Sequence, residues 1–168
     1  MYKRQLLEVQ DIENQDRKYE MRNLDGGILV QQENNDILKI DELKVVTNTK
    51  PTEDTIKSML FGWQVLKHVK SNAIITVKDN TTVGIGAGQV SRIDAVDIAI
   101  SKSKTAIKGS ILCSDAFFPF RDSIDKISQY NINGVIQPGG SIKDNEVIDA
   151  CNEHNIPMVF TGRRCFKH

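Results

Sequence analysis

The sequence predicts an α/β fold, a layered sandwich of helices on strands, and three observations predict it. Apolar runs at Ser110–Cys113, Gly134–Gln137 and Met158–Thr161 alternate with helical spacings, the signature of βαβ units. Upstream, Ala73–Lys78 and Thr81–Gly86 flank an Asp79-Asn80 turn and read as a hairpin. The chain's least ordinary residues follow strands, and in such sheets ligands gather at the carboxyl ends of strands.

Residues 1–22 are charged and poorly patterned, and read as an arm or truncated lead-in to a domain spanning 23–168. Gly26-Gly27 marks a turn or a close backbone approach before a short strand at Ile28–Val30, and Gln32–Asp36 a loop. Leu43–Thr47 is expected to be a strand. Thr52, followed by Glu53 and Asp54, supplies a cap and two acids at the positive end of a helix. Ile56, Met59, Leu60, Trp63, Leu66 and Val69 give that helix one buried face. Trp63 is expected in the core, and Lys67-His68 as favourable charge at the helix's negative pole.

The stretch from Gly84 to Arg92 places glycines at 84, 86 and 88 before Ser91, and opens a helix carrying Ile93, Val96, Ile98 and Ile100. Ser91 and Asp94 have capping-box spacing. A tight strand-to-helix turn and an anion site at a helix N-terminus both fit this stretch. It is neither Gly-x-Gly-x-x-Gly nor a P-loop. After Ser110–Cys113 comes Ser114–Asp122, which holds three of the six phenylalanines around Pro119. Proline disfavours a strand here, and the stretch reads as a loop. It is either an aromatic ligand surface edged by charge or a satellite core cluster. Asp122 is the expected cap of the next helix, with Ile124, Ile127 and Tyr130 inward. Pro138–Ser141 follows the next strand, and Val147, Ile148 and Cys151 mark the last helix.

The 168 residues suffice for one domain with a real core. Charges balance at 22 basic and 22 acidic, which gives no reason to expect nucleic acid or an anionic membrane as partner. No apolar run approaches the roughly 20 residues of a membrane span, and no signal-peptide core opens the chain. Cys113, Cys151 and Cys165 form neither a disulfide framework nor a zinc pattern, and the three histidines are scattered. A reduced cytoplasmic protein with no metal site is expected.

Taken in order and spacing, Gly84–Arg92, Ser114–Asp122, Gln137-Pro138-Gly139-Gly140-Ser141 and Arg164–His168 resemble the C-terminal part of the bifunctional AICAR transformylase/IMP cyclohydrolase family. Asp25–Gln31 and Lys70–Ala73 fit the same family, so the resemblance covers the chain from about Arg22 onward. It implies a cytidine-deaminase-like three-layer α/β/α sandwich without the deaminases' zinc site. It also implies formyl transfer from 10-formyltetrahydrofolate to the 5-amino group of 5-aminoimidazole-4-carboxamide ribonucleotide (AICAR), in purine biosynthesis.

By this resemblance Asn72 is catalytic and lies beside the transferring formyl group. Asn72, Arg92, Phe117, Arg164 and Phe166 would bind AICAR, while Ile93, Pro119, Asp122 and Gln137 would border the folate. Asp115 would belong to a structural monovalent cation site. The family's catalytic Lys-His pair lies in an upstream part that this sequence does not contain, and Lys67-His68 is not that pair. The cyclohydrolase domain is absent too. The chain therefore reads as a fragment that supplies half of a site completed in a homodimer, and as inactive alone. A non-catalytic ligand-binding or oligomerisation module is the alternative.

Overall fold

The computed structural model describes residue 8 and residues 19–168. They fall into two compact units, one running to Asn35 and the other spanning Asp36–His168.

In the first unit, β1 (Tyr19–Leu24) pairs antiparallel with β2 (Gly27–Gln32). Gly26 turns the chain at φ +80°, a left-handed conformation that glycine adopts without cost. Residues 19–22 of the expected lead-in are thus strand, and positions 1–7 and 9–18 lie outside the described residues.

The second unit holds β3 (Lys44–Val45), α1 (Glu53–Leu66), β4 (Ile74–Lys78), β5 (Thr81–Gly86), α2 (Arg92–Ser103), β6 (Ile111–Ser114), α3 (Asp122–Ser128), β7 (Gly134–Gln137), α4 (Asp144–Glu153) and β8 (Met158–Phe160). Its six strands form one mixed sheet in the order β3-β8-β7-β6-β4-β5. β6, β7 and β8 are parallel, as βαβ connections through α3 and α4 require. The β4–β5 hairpin turns through Asp79 and Asn80, both at positive φ, the geometry of the tightest antiparallel turns.

Strand residues alternate between two buried clusters. Ile75, Val77, Ile111, Cys113, Ile136 and Val159 pack with Met59, Trp63 and Leu66 of α1. Ile74, Leu112, Val135 and Met158 belong to the other cluster, with side chains of α2, α3 and α4. This period of two buries both sheet faces, and full burial of each large aliphatic contributes about 1.5–3 kcal/mol. Trp63 is core, as its spacing indicated. All three cysteines are free and buried, and burial raises their thiol pKa values, those of Cys151 and Cys165 to about 12.

Thr52 caps α1 as expected, its Oγ1 accepting from the Thr55 N–H at 3.2 Å. Four local expectations are corrected. Ser91 occupies the N-cap of α2, but its side chain makes no capping bond; the carbonyls of the preceding turn accept from Asn72 Nδ2. Asp122 is the first residue of α3 rather than its cap, because its Oδ1 accepts from the adjacent Ser123 N–H at 2.7 Å. Tyr130 lies past the end of this two-turn helix and is exposed. The strand expected at Leu43–Thr47 is only Lys44–Val45, which pairs with β8 at the sheet edge. No described helix is long and apolar enough to cross a membrane.

Candidate active site

Strand direction decides which segments meet. β6, β7 and β8 end at the same side of the sheet, and antiparallel pairing brings the start of β4 beside Ser114 and the end of β5 beside Ile74. Residues before β4, after β5, after β6 and after β8 therefore share one edge.

Hydrogen bonds beyond the strands hold these segments together. The β4–β5 ladder continues through Asn72 N–H to the Gln89 carbonyl, Gln89 N–H to the Asn72 carbonyl, and Gly88 N–H to the Lys70 carbonyl. The tail is fixed at alternate residues: Cys165 N–H donates to the Asp115 carbonyl, and Lys167 N–H to Ser71 Oγ. Cys165 is buried, whereas Arg164 and Phe166 line a pocket. That pocket, of about 310 Å³, is lined by Asn72, Val90, Arg92, Ala116, Phe117, Pro119, Arg164 and Phe166.

Beneath the pocket lies a buried polar cluster. Asp115 is fully buried, and its Oδ2 accepts from Ser71 Oγ at 2.6 Å and from Ala73 N–H at 2.9 Å. Its Oδ1 accepts from Arg92 Nη1 at 2.6 Å. The same Arg92 nitrogen donates to Ser114 Oγ at 2.8 Å, and Nη2 donates to Asn72 Oδ1 at 2.8 Å. Asn72 Nδ2 in turn donates to the Gln89 carbonyl at 2.9 Å and the Val90 carbonyl at 3.0 Å. Pairing with full hydrogen bonding is what makes a buried ion pair tolerable, and removing one partner costs roughly 3–5 kcal/mol. Three donors occupy the Asp115 carboxylate, leaving one of its roughly four lone-pair sites.

Above the cluster the surfaces are flat. The Arg164 guanidinium carbon lies 4.9 Å from the centroid of Phe117 and 5.8 Å from that of Phe166. Such stacking suits a planar, electron-rich ligand. The phenylalanine stretch splits three ways: Phe117 lines the pocket, Phe118 is fully buried core, and Phe120 is exposed beneath Lys143.

Six of the nine sequence-predicted residues, Asn72, Arg92, Phe117, Pro119, Arg164 and Phe166, meet at this pocket. Three do not line it. Ile93 packs half-buried against the core from the first turn of α2. Asp122 is exposed at the start of α3. Gln137 is fully buried, its Oε1 accepting from the Phe118 N–H at 3.1 Å, so it braces the aromatic loop from below. Neither Lys67 nor His68 lines the pocket. Sequence reasoning missed Ser71 and Ser114, and it missed Asp115 as the ion partner of Arg92. Among the described residues, no three His, Cys, Asp or Glu side chains are placed to hold a metal ion.

The model of the AICARFT/IMPCHase bienzyme family matches residues 2–102. The chain is 50% identical to the bifunctional purine biosynthesis protein PurH of Persephonella marina, over 99% of this chain and 33% of that protein. It is 55% identical to PurH of Clostridium perfringens, over 88% of this chain and 28% of that protein. The chain thus spans about a third of the length of the curated relatives it matches. Among solved structures, Acinetobacter baumannii RibD, form 1, overlaps with a TM-score of 0.44 at 14% identity, over 64% of this chain and 34% of that one, too loosely to bear on function.

Proposed function

The chain belongs to the AICARFT/IMPCHase bienzyme family, and from that premise we propose that it forms one wall of an AICAR formyltransferase site. The reaction moves a formyl group from 10-formyltetrahydrofolate to the 5-amino group of AICAR, in purine biosynthesis in the cytoplasm. The observation that carries this reading is the convergence of Asn72, Arg92, Phe117, Pro119, Arg164 and Phe166 on one pocket.

The amine is a poor nucleophile, because its lone pair is delocalised into the ring and the carboxamide. Catalysis must therefore hold amine and formyl carbon in contact, stabilise the developing oxyanion and move a proton. The outer face of the stacked Arg164, Phe117 and Phe166 side chains would take the nucleotide's flat base. Arg92 uses three of a guanidinium's five N–H donors on Ser114, Asp115 and Asn72, leaving two for the carboxamide or phosphate oxygens. Asn72 would give an N–H to the formyl oxygen in place of the Val90 carbonyl at the pocket rim. Pro119 would border the folate, as would Ile93, Asp122 and Gln137 through segments adjoining the pocket.

A pocket of about 310 Å³ is at the small end of ligand sites, in keeping with one wall rather than a whole enclosure for two substrates. The remaining wall, including the family's Lys-His pair, would come from the length outside this chain, across a dimer interface. The architecture would be the cytidine-deaminase-like three-layer sandwich without its zinc.

Arg164→Ala in the full-length enzyme tests the nucleotide surface. The KM for AICAR is expected to rise about tenfold or more with kcat little changed, the pattern of lost uniform binding. An unchanged KM would remove Arg164 from the nucleotide site.

A further inference from the structure

Resting on the reading above, we infer that Asp115 and Arg92 act as an orientation lock on the Asn72 carboxamide, which makes Asp115 a positioning residue for formyl transfer although it does not line the pocket. The two ends of a side-chain amide are nearly the same size and differ only in hydrogen-bonding character. Which end a ligand meets is therefore set by the neighbours. On one side Asn72 meets Arg92 Nη2, which can only donate; on the other it meets the Gln89 and Val90 carbonyls, which can only accept. One orientation satisfies all three contacts. The reverse would set Nδ2 against the guanidinium and Oδ1 against two carbonyls.

The locked orientation has a direction relative to the pocket. Oδ1 is turned to Arg92 and Nδ2 to the Val90 backbone carbonyl, and both residues line the pocket. With Oδ1 held by Arg92, a substrate oxygen would meet the donor edge by taking the place of the Val90 carbonyl. Arg92 cannot hold the amide unless it is itself held. Its Nη1 is fixed by Asp115 and Ser114, and Asp115 is fixed by Ser71 Oγ and the Ala73 N–H on either side of Asn72. The chain of contacts leaves the backbone next to Asn72 and returns to the Asn72 side chain. The amide and its lock therefore share one rigid frame, as precise placement of a catalytic donor requires.

The test compares Asn72→Ala, Asp115→Asn and the double variant in the full-length enzyme. Each single change is expected to lower kcat about 100-fold, with KM for AICAR held within about threefold. On the Asn72→Ala background, Asp115→Asn is expected to cost less than about threefold more, because its effect passes through the missing amide. An equal loss on both backgrounds, or a change in KM alone, would overturn the inference.

Since Asp115→Asn can also impair folding, Arg92→Lys in this chain supplies a second test, which keeps the charge but loses the fork that spans Asp115 and Asn72. Solvent exchange of the Asn72 side-chain NH2 protons, read by NMR, is expected to speed up about tenfold or more, with the core amides of β4 and β6 unchanged. Unaltered Asn72 exchange would refute the lock. Should Asn72→Ala leave kcat intact, the catalytic reading of Asn72 would fall, while the exchange measurement would still decide the lock.

Discussion

Gly86→Ala is expected to destabilise the chain at the upper end of the roughly 1–3 kcal/mol typical of overpacking. A Cβ built on Gly86 falls 1.9 Å from the backbone carbonyl oxygen of Ala95 and 2.8 Å from its carbonyl carbon. A flexible side chain could swing away, but a helix backbone cannot. Gly86 is buried in β5 opposite Ile74, and Ala95 lies one turn into α2. Relief therefore requires α2 to lift from the sheet, and Arg92, the first residue of α2, would move with it. A loss of about 3 kcal/mol lowers the thermal midpoint by roughly 10 °C in a domain of this size. Gly27→Ala is the matched control, since nothing lies within 4 Å of its Cβ, and its midpoint is expected to shift negligibly, within about 0.5 kcal/mol. Equal midpoints for the two variants would show that α2 does not press on β5 at this glycine.

The β5–α2 contact also shows where the sequence is legible. The glycines at 84, 86 and 88 announce a tight strand-to-helix turn, and Gly88 takes φ +67° in it, whereas the close approach of Gly84 and Gly86 to α2 emerges only in the structure. Strand β7 has the limits its apolar run gave it, Gly134–Gln137, because flanking turn residues close it at both ends. The convergence of these loops was readable as well, since loops after parallel strands meet at one sheet edge.

Pairings across the sheet edge were not readable. Arg92 and Asp115 are 23 residues apart, and neither carries a periodic signal that joins them. Their partnership comes from β4 lying between β5 and β6. Gln137 is a candidate folate contact through the family resemblance alone. Only the packed structure shows its amide engaged by the backbone of Phe118. Ser91 and Asp122 carry the right residue types for caps, yet local competition decides otherwise: Asp122 bonds the nearest N–H in its own first turn.

Asn72→Ala in the full-length enzyme is expected to have the larger functional effect. Removing a single donor that stabilises a developing oxyanion costs about 100- to 1,000-fold in kcat. The loss should fall on kcat and kcat/KM together, because under the proposed role the N–H would meet the formyl oxygen most strongly when charge has built up there. The fold should be destabilised as well, although Asn72 is only half-buried at the pocket rim. The cost in stability is the loss of its two bonds to the Gln89–Val90 turn and one from Arg92, each worth about 1 kcal/mol. Steady-state kinetics beside a thermal melt separates these terms. A variant whose kcat is unchanged while only its affinity for AICAR falls would make Asn72 a binding residue and nothing more.

The account rests on this chain holding one wall of a formyltransferase site, with the other wall supplied by the part of the family's length that it does not span. The direct measurement is formyl transfer from 10-formyltetrahydrofolate to AICAR, assayed first with this chain alone and then with the remaining two-thirds of a family member added. The expected result is no turnover by the isolated chain and turnover on mixing, lowered about 100-fold or more when this chain carries Asn72→Ala. Robust turnover by this chain alone would contradict the account.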